Sequence, residues 1–312
     1  MTDATVANPN PMGSVPVQAE DSVGQAQSLT AEAWKELRSN YLFWASLVLI
    51  VTFLVMAAFP RVFTSTSPTA FDLGLSSTPP SSSQWFGRDL QGYDVFARTI
   101  YGARASILVG VLTTVVTAFL GVVIGTLAGY YGGILDTLVM RLTDVFFAIP
   151  FLLGGILFMS TFPNKVDSSY SSVVGKVVLA LAVLGWPGIA RLMRGAVLQV
   201  KPNDYVQAAR ALGASPWRVI RSHVLPNAMA PVIVVSMINL GAYIAAEAAL
   251  SFLGIGLVSP AISWGVAISD SLSLMRTSPW ILLFPSLFLS LAVLAFIMLG
   301  DAVRDAFDPK GR

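Results

Sequence analysis

The chain has 312 residues, of which 55% are hydrophobic and 12% charged. Soluble domains average about 25% charged residues, so this composition indicates a protein that lies mainly in lipid. The net charge of +2 predicts no surface for nucleic acid. The absence of Cys excludes disulfides, Cys-ligated metals and a thiol nucleophile, and a single His, His223, excludes a His-rich metal site. We therefore expect passage across a membrane rather than bond chemistry.

The chain begins with a polar stretch of 33 residues without Lys or Arg, which predicts a disordered tail. Ala31–Ser39 has the pattern of a short amphipathic surface helix, with Trp34 as its anchor. Six later segments have roughly the apolar length, about 20 residues, that crosses the hydrocarbon. They are Leu42–Phe59, Ala105–Ala128, Val145–Phe162, Val177–Ala190 with its flanks, Val224–Ala246 and Thr277–Gly300. Gly and Pro interrupt the uncharged stretch Ala248–Ser269, so we expect a loop or re-entrant segment there.

Six spans place both ends of the chain on one side of the membrane. Lys and Arg are more numerous in the segments on that side, so both ends are expected in the cytoplasm. The end of the longest outer loop, Tyr93–Arg104, has helical spacing and is expected to lie along the outer surface. The predicted parts are a cytoplasmic tail (1–33), a surface helix with the first span (34–60), an extracytoplasmic loop (61–104), a membrane core (105–300) with a polar loop at about 191–231, and a cytoplasmic tail (301–312).

The polar loop carries the signals of a first short helix. Asp204 and Gln207 have the spacing of a capping box, with Asp204 as the N-cap. Gly213 suits the position after a helix that requires a positive φ. Because Ala208 and Ala209 have small side chains, a groove of another protein could approach this helix closely. The alternative is an ordinary loop that only connects spans four and five.

A second short helix is predicted directly after the first. Ser215 is its N-cap, and Pro216 occupies the first helical position, where a missing N–H costs nothing. The helix is expected to continue through Trp217–His223 and to end at Leu225 and Pro226. Two short helices joined by a tight glycine turn make a stiff, exposed element.

These residues resemble the signature loop of the membrane subunits of ATP-binding-cassette (ABC) importers. That signature reads Glu-Ala-Ala, three residues, Gly, nine residues, Ile, one residue and Leu-Pro. Its places are taken here by Gln207-Ala208-Ala209, Gly213 and His223-Val224-Leu225-Pro226. The chain departs from the signature where Gln replaces Glu and where the hydrophobic residue, Val224, is adjacent to Leu225. The first departure removes a charge that could pair with a partner.

Other segments resemble one branch of these subunits, the C-type permeases of dipeptides and oligopeptides. Arg88 and Tyr93 depart from the pattern of that branch, whereas the segments after span five match it closely. The matching segments are Phe86–Asp94, Ile100–Ser106, Ala249–Gly256, Ser263–Gly265 and Gly300–Pro309. The likeness covers roughly residues 35–310, with its motifs in the expected order.

The resemblance implies an all-α polytopic bundle of six transmembrane helices with the type I ABC importer fold. The chain would pair with a second permease as a heterodimer, two cytoplasmic ATPases and an extracytoplasmic peptide-binding protein. The chain has no GxxxxGK[ST] loop, so ATP and Mg are expected in the ATPases, and this chain is expected to bind no cofactor and to be no enzyme. The resemblance implies that the loop contacts an ATPase through Asp204, Gln207, Ala208, Ala209, Gly213, Ser215, Pro216, Trp217, Arg218, Leu225 and Pro226.

Several residues within or beside the spans carry separate expectations. Glu247 is expected to face the translocation path, the alternatives being a side chain that reaches the outer surface or pairs with an Arg. Gly121, Gly125 and Gly129 recur every four residues and predict close helix packing. Arg191 and Arg194 are expected to anchor span four at the interface. A local ion pair is expected between Arg141 and Asp144, and Trp264 is expected in the outer aromatic belt.

Alternative functions stay open at this point. The same type of complex could import nickel chelates or glutathione, because no residue reads out a side-chain preference. A self-sufficient secondary transporter is a second class, but the chain shows no clear internal repeat and offers Glu247 as its candidate acid. An intramembrane enzyme is disfavoured, because a single His and no Cys leave few residues for metal or nucleophilic chemistry.

Overall fold

A computed structural model describes residues 34–165 and 167–307. Within these residues the regular structure is helical, and the β pairs are isolated bridges. The helices are α1 (Tyr41–Ala58), α2 (Val95–Tyr131), α3 (Gly133–Phe147), α4 (Phe151–Thr161), α5 (Tyr170–Val200), α6 (Asp204–Ala211), α7 (Pro216–Val219), α8 (Leu225–Ala228), α9 (Ala230–Phe252), α10 (Trp264–Ser271) and α11 (Trp280–Phe307). The tail expected over 1–33 and the end of the chain at 308–312 lie outside the described residues. Residues 34–37, part of the expected surface helix, are helical.

Five helices of the described chain are long and apolar enough to cross a membrane: α1, α2, α5, α9 and α11. The pair α3 and α4 makes a sixth crossing if it counts as one span, but it is bent by 84°. Pro150 precedes α4 and disfavours helical backbone at the residue before it, so the third span, expected over Val145–Phe162, is broken there. The expectation of an all-α polytopic bundle is confirmed.

Helix α2 is longer than the expected second span. It runs for 37 residues, and the stretch expected to lie along the surface is its first part. The helix continues through Gly102, where an added Cβ would lie 3.2 Å from Trp264 Cδ1. The surface-helix prediction for Tyr93–Arg104 is therefore wrong, because a single helix continues from Val95 into the bundle.

The centre of the bundle is the contact between α2 and α5. A Cβ at Gly121 would lie 2.5 Å from Ile189 Cβ, and one at Gly125 would lie 2.4 Å from the carbonyl oxygen of Ala190. A Cβ at Gly129 would lie 3.0 Å from Arg194 O, so this glycine also lies close to α5. The prediction that these three glycines serve helix packing is confirmed. Helix α9 lies against α2 and α11, and α1 lies against α11 and α2.

Two helix ends differ from the expected boundaries. Helix α5 continues to Val200, so the polar loop begins at Lys201 rather than near Arg191. Helix α11 continues past Gly300 to Phe307, and its residues Ala302, Val303 and Ala306 are buried against Leu37 and Phe43. Both helices extend further because the added turns carry apolar residues on one face, and these residues pack against neighbouring segments.

Trp264 lies in the core instead of the aromatic belt. It is fully buried, its indole Nε1 donates to Thr99 O at 2.9 Å, and its ring meets Phe53 edge to face at 5.7 Å. Trp264 opens α10, which is capped by the Ser263 hydroxyl. The uncharged stretch after α9 thus folds back onto the bundle and ends in a short helix, as a loop or re-entrant segment was expected to do.

Candidate functional site

The first helix of the polar loop begins one residue earlier than predicted. Asn203 is the N-cap of α6, with φ −64° and ψ 146°, and its side chain makes no capping hydrogen bond. Asp204 is already the first helical residue, and Gln207 Nε2 donates to Lys201 O at 3.0 Å. The predicted capping box is therefore wrong. Asp204 instead places a negative charge at the helix N-terminus, where the dipole favours it.

The end of α6 has the predicted glycine geometry. Gly213 has φ +81°, its N–H donates to Arg210 O at 2.9 Å, and Ala214 N–H donates to Ala209 O at 3.1 Å. Both bonds together form a Schellman motif, which satisfies carbonyls that the helix end leaves free. The structure confirms Gly213 as the residue that turns the chain between the two helical segments.

The second segment starts as predicted but does not stop where predicted. Ser215 Oγ accepts the Arg218 N–H at 3.4 Å, and Pro216 is the first residue of α7. Backbone with π-helical hydrogen bonds follows over Ile220–Val224, and α8 then carries the chain through Pro226. A proline removes an N–H from the helical ladder, and a wider π turn accommodates that loss. The prediction that Leu225 and Pro226 end the helix is wrong for this reason.

One face of the loop is buried against the bundle. Val206, Ala209, Val219, Ile220 and Val224 are each at most 9% exposed, and they cluster with Ile189, Met193 and Val197 of α5. Ala209, expected on the docking face together with Ala208, thus faces inward. The predicted loop residues are therefore divided between an anchoring face and an outward face.

The outward face carries large apolar side chains. Leu212 is 88% exposed and Trp217 is 67% exposed, and Gln207, Ala208 and Arg218 are exposed beside them. Pro216 and Pro226 are exposed as well. Leu212 and Trp217 lie on either side of the Gly213 turn, so both helical segments contribute an exposed apolar side chain. We call Ala208, Leu212, Trp217 and Arg218 the outward patch.

Tyr130, near the end of α2, fastens the loop to the bundle. Lys201 Nζ donates to Tyr130 O at 2.7 Å, and the Arg210 guanidinium carbon lies 4.9 Å from the centre of the Tyr130 ring. A cation over an aromatic face is attractive, more so where water is excluded. The contact therefore joins α6 to the end of α2 as well as to α5. Sequence patterns gave no signal for it, because a Tyr at a span end is ordinary.

Two arginines of α5 pair with aspartates of α3. Arg194 donates from both Nε and a terminal nitrogen to the Asp136 carboxylate, the latter at 2.6 Å from Oδ2. Arg191 donates from Nε to Thr143 Oγ1 at 2.9 Å and also pairs with Asp144. The expected role of both arginines as interfacial anchors stays a prediction, and the structure adds a specific partner for each of them.

The expected Arg141–Asp144 pair is loose in comparison. The two side chains are 3.9 Å apart, with the Arg141 side chain 81% exposed, so solvent screens most of the attraction. The sequence shows the four charged residues of the stronger pairs beside apolar spans. Which of them pair depends on how the helices pack, so the sequence alone did not predict the pairs.

Glu247 lies inside the bundle and not on an open surface. It is fully buried, and its Oε1 accepts the Ser251 hydroxyl at 2.7 Å. The hydroxyls of Ser106 in α2 and Ser263 before α10 lie beside the carboxyl, although its Oε2 completes no hydrogen bond within the described residues. In this subunit the chain after α9 folds back over Glu247, and the expectation that Glu247 faces the path stays a prediction.

A cavity of about 660 Å³ opens at the end of the bundle opposite the polar loop. Arg98, Tyr93 and Asp270 contribute polar groups to its wall. Arg98 pairs with Asp89 at 3.1 Å and lies 4.7 Å from the Tyr93 ring centre. Burial raises the pKa of the Asp270 carboxyl, and the Arg98 charge opposes this shift.

The chain matches two family models. "Binding-protein-dependent transport system inner membrane component" matches residues 121–312, and "N-terminal TM domain of oligopeptide transport permease C" matches residues 28–80.

Curated relatives match nearly the whole chain. A dipeptide transport system permease protein of Bacillus subtilis is 41% identical over 91% of this chain and 87% of its own length. An oligopeptide transport system permease protein of the same organism is 37% identical over 94% of each chain. A glutathione transport system permease protein of Pectobacterium atrosepticum is 38% identical over 77% of each chain.

Proposed function

Because the chain belongs to the family of binding-protein-dependent transport system inner membrane components, we propose that it is one permease subunit of an ABC importer of dipeptides or oligopeptides. It pairs with a second permease. Two ATPases dock on the polar-loop side of this pair, and a peptide-binding protein docks on the opposite side. Both ends of the chain then lie in the cytoplasm. ATP and Mg bind in the ATPases.

The observation that carries this proposal is the division of the polar loop into two faces. The anchoring face packs on α5 and on Tyr130, whereas the outward patch offers Leu212 and Trp217 to a partner. The Schellman turn fixes the angle between the two helical segments, so the loop does not bend there. A force applied to the patch is therefore transmitted to the spans. When ATP closes the ATPases, the docked loop carries α5 with it and changes the access of the path.

The substrate class rests on the names of the relatives. The relatives that match over 91% and 94% of this chain are named for dipeptides and oligopeptides, so a short peptide is the first candidate. Glutathione is the second, because a relative at 38% identity is named for it. Nickel chelates and independent secondary transport remain as less favoured readings.

Reconstitution of the whole assembly tests this function. Proteoliposomes holding both permeases and the ATPases, with the binding protein outside and ATP inside, should accumulate a labelled dipeptide. Liposomes with this chain alone should not. Glutathione uptake without dipeptide uptake would replace the substrate, and uptake by this chain alone would refute the ABC assignment.

The orientation and the ATPase contact have a clean test because the natural chain has no Cys. Leu212→Cys should react with a membrane-impermeant maleimide only from the cytoplasmic side and should crosslink to an ATPase. Leu73→Cys, at a residue that is 67% exposed at the opposite end, is the matched control and should react only from outside. Labelling with the sides reversed would overturn the proposed orientation.

A further inference from the structure

Helix α3 is held to the bundle mainly through charges. Thr143 is its buried residue, whereas Ile134, Leu138 and Val145 are between 61% and 80% exposed. Within the described chain, none of the buried residues that form the four apolar core clusters belongs to α3. Apolar packing of α3 on α5 is therefore limited, and it includes the edge-to-face contact of Phe146 with Trp186.

Both ends of α3 are sharp bends. Gly132 and Gly133 precede and open it with φ values of +70° and +61°, and a Cβ at either would meet nothing within 4 Å. At its other end α3 meets α4 at 84°. A helix with a bend at each end can swing unless side contacts hold it.

The side contacts to α5 include two ion pairs and one aromatic contact, in which the rings of Phe146 and Trp186 meet edge to face at 5.6 Å. Asp136 and Asp144 lie about two turns apart on α3, and they meet Arg194 and Arg191 in antiparallel order. The Arg194–Asp136 pair is the more shielded, with side chains 31% and 19% exposed. Its two parallel N–H donations fix direction as well as distance. The Arg191 guanidinium carbon also lies 4.3 Å from the ring centre of Phe147, the last residue of α3.

The arginines sit on the part of α5 that anchors the polar loop. Met193 and Val197, on either side of Arg194 in sequence, cluster with Val206 and Val219 of the loop. A movement of the loop is therefore received by α5 at the same turns that hold α3. Resting on the function proposed above, we propose that the Arg194–Asp136 and Arg191–Asp144 pairs make α3 move with α5, so that motion of the ATPase-docked loop passes through α3 to α4.

Asp136 and Arg194 are thus positioning residues for transport, and they touch neither substrate nor ATP. Asp136→Asn and Arg194→Gln are each expected to lower uptake per ATP hydrolysed by about fivefold, the low end of typical coupling between sites. Arg141→Gln is the matched control, because this arginine of α3 is exposed and its pairing is loose. It should leave the ratio at the wild-type value. The double variant Asp136→Arg, Arg194→Asp should regain part of the lost coupling.

The measurement uses the full reconstituted complex and reads dipeptide uptake and ATP hydrolysis in the same vesicles. A merely structural pair would lower both quantities together and leave their ratio unchanged, which would overturn the inference. The proposed function would instead be refuted if the wild-type chain did not co-purify with the ATPases. It would also be refuted if the chain carrying only Leu212→Cys did not crosslink to an ATPase. The two failures are therefore distinct.

A distance measurement gives a second readout. Spin labels at Leu138→Cys on α3 and Leu198→Cys on α5, both at exposed positions, report the separation of the two helices. We expect the same distance with and without ATP in the wild type, since the helices move together. Asp136→Asn should broaden the distribution or make it depend on nucleotide. A distribution unaffected by the substitution would count against the link.

Discussion

Gly213→Ala isolates the stiffness of the polar loop from every other property of it. The residue has φ +81°, and a Cβ there would meet nothing within 4 Å. The substitution therefore creates no clash, and its cost is the strain of a left-handed L-residue, about 1–2 kcal/mol. Because 1.4 kcal/mol corresponds to a factor of ten, the native turn should lose roughly five- to thirtyfold in population against competing conformations.

The assay compares this variant with a matched glycine substitution. Gly195 is a helical residue of α5 where an added Cβ would likewise meet nothing within 4 Å, so Gly195→Ala adds the same methyl group without left-handed strain. We expect Gly213→Ala to lower dipeptide uptake per ATP hydrolysed while Gly195→Ala keeps it. Gly213→Asn should lie between them, because Asn tolerates the left-handed region.

A stronger form of the same perturbation is Gly213→Pro. Proline removes the N–H that donates to Arg210 O and fixes φ near −65°, so ATP hydrolysis should continue while uptake fails. The chain should still insert in the membrane, since the spans are untouched. Equal uptake per ATP in Gly213→Ala, Gly213→Pro and Gly195→Ala would refute the argument that a stiff turn transmits the force.

Three further outcomes follow from the packing. Gly125→Ala should lower the thermal unfolding midpoint, because its Cβ would lie 2.4 Å from the Ala190 oxygen, whereas Gly175→Ala should not. Glu247→Leu removes the acceptor of the buried Ser251 hydroxyl and should cost about 1–3 kcal/mol of stability, and Glu247→Gln should recover most of it in denaturant titrations. Trp217→Ala should weaken ATPase co-purification at an unchanged unfolding midpoint, because the side chain is 67% exposed.

Each of these outcomes has a contrary result. Equal midpoints for the two glycine variants would remove the close α2–α5 contact. Equal destabilisation by Glu247→Leu and Glu247→Gln would show that the carboxyl acts by charge rather than by accepting the hydroxyl. Retained ATPase binding in Trp217→Ala would move the docking surface away from the outward patch.

Sequence patterns predicted the parts of the loop whose conformation depends on residues close by in the chain. The positive φ of Gly213 and the Ser215–Pro216 start were predictable because a helix end must satisfy its own carbonyls and N–H groups with nearby residues. The capping box failed by one residue, since Asn203 and Asp204 are both good N-terminal residues and the sequence alone does not rank them here.

The partners of charged and buried residues were not predictable in the same way. Arg191 pairs with Asp144, 47 residues away in the chain, and Arg194 pairs with Asp136, 58 residues away. The bend between α3 and α4 lies between the partners in sequence. Glu247 and Trp264 were expected near open surfaces, yet both are fully buried, because the segment between them folds back and closes over them. Such contacts depend on where separate helices meet.

The order of apolar and polar segments by itself determined a helical membrane bundle with a stiff polar loop, because hydrocarbon thickness and backbone hydrogen bonding leave few other solutions. Tertiary structure alone decided which face of that loop is anchored, which aspartates hold α3 to α5 and which acid is enclosed. Burial and pairing arise between segments distant in the chain, and no local pattern fixes the distance between them.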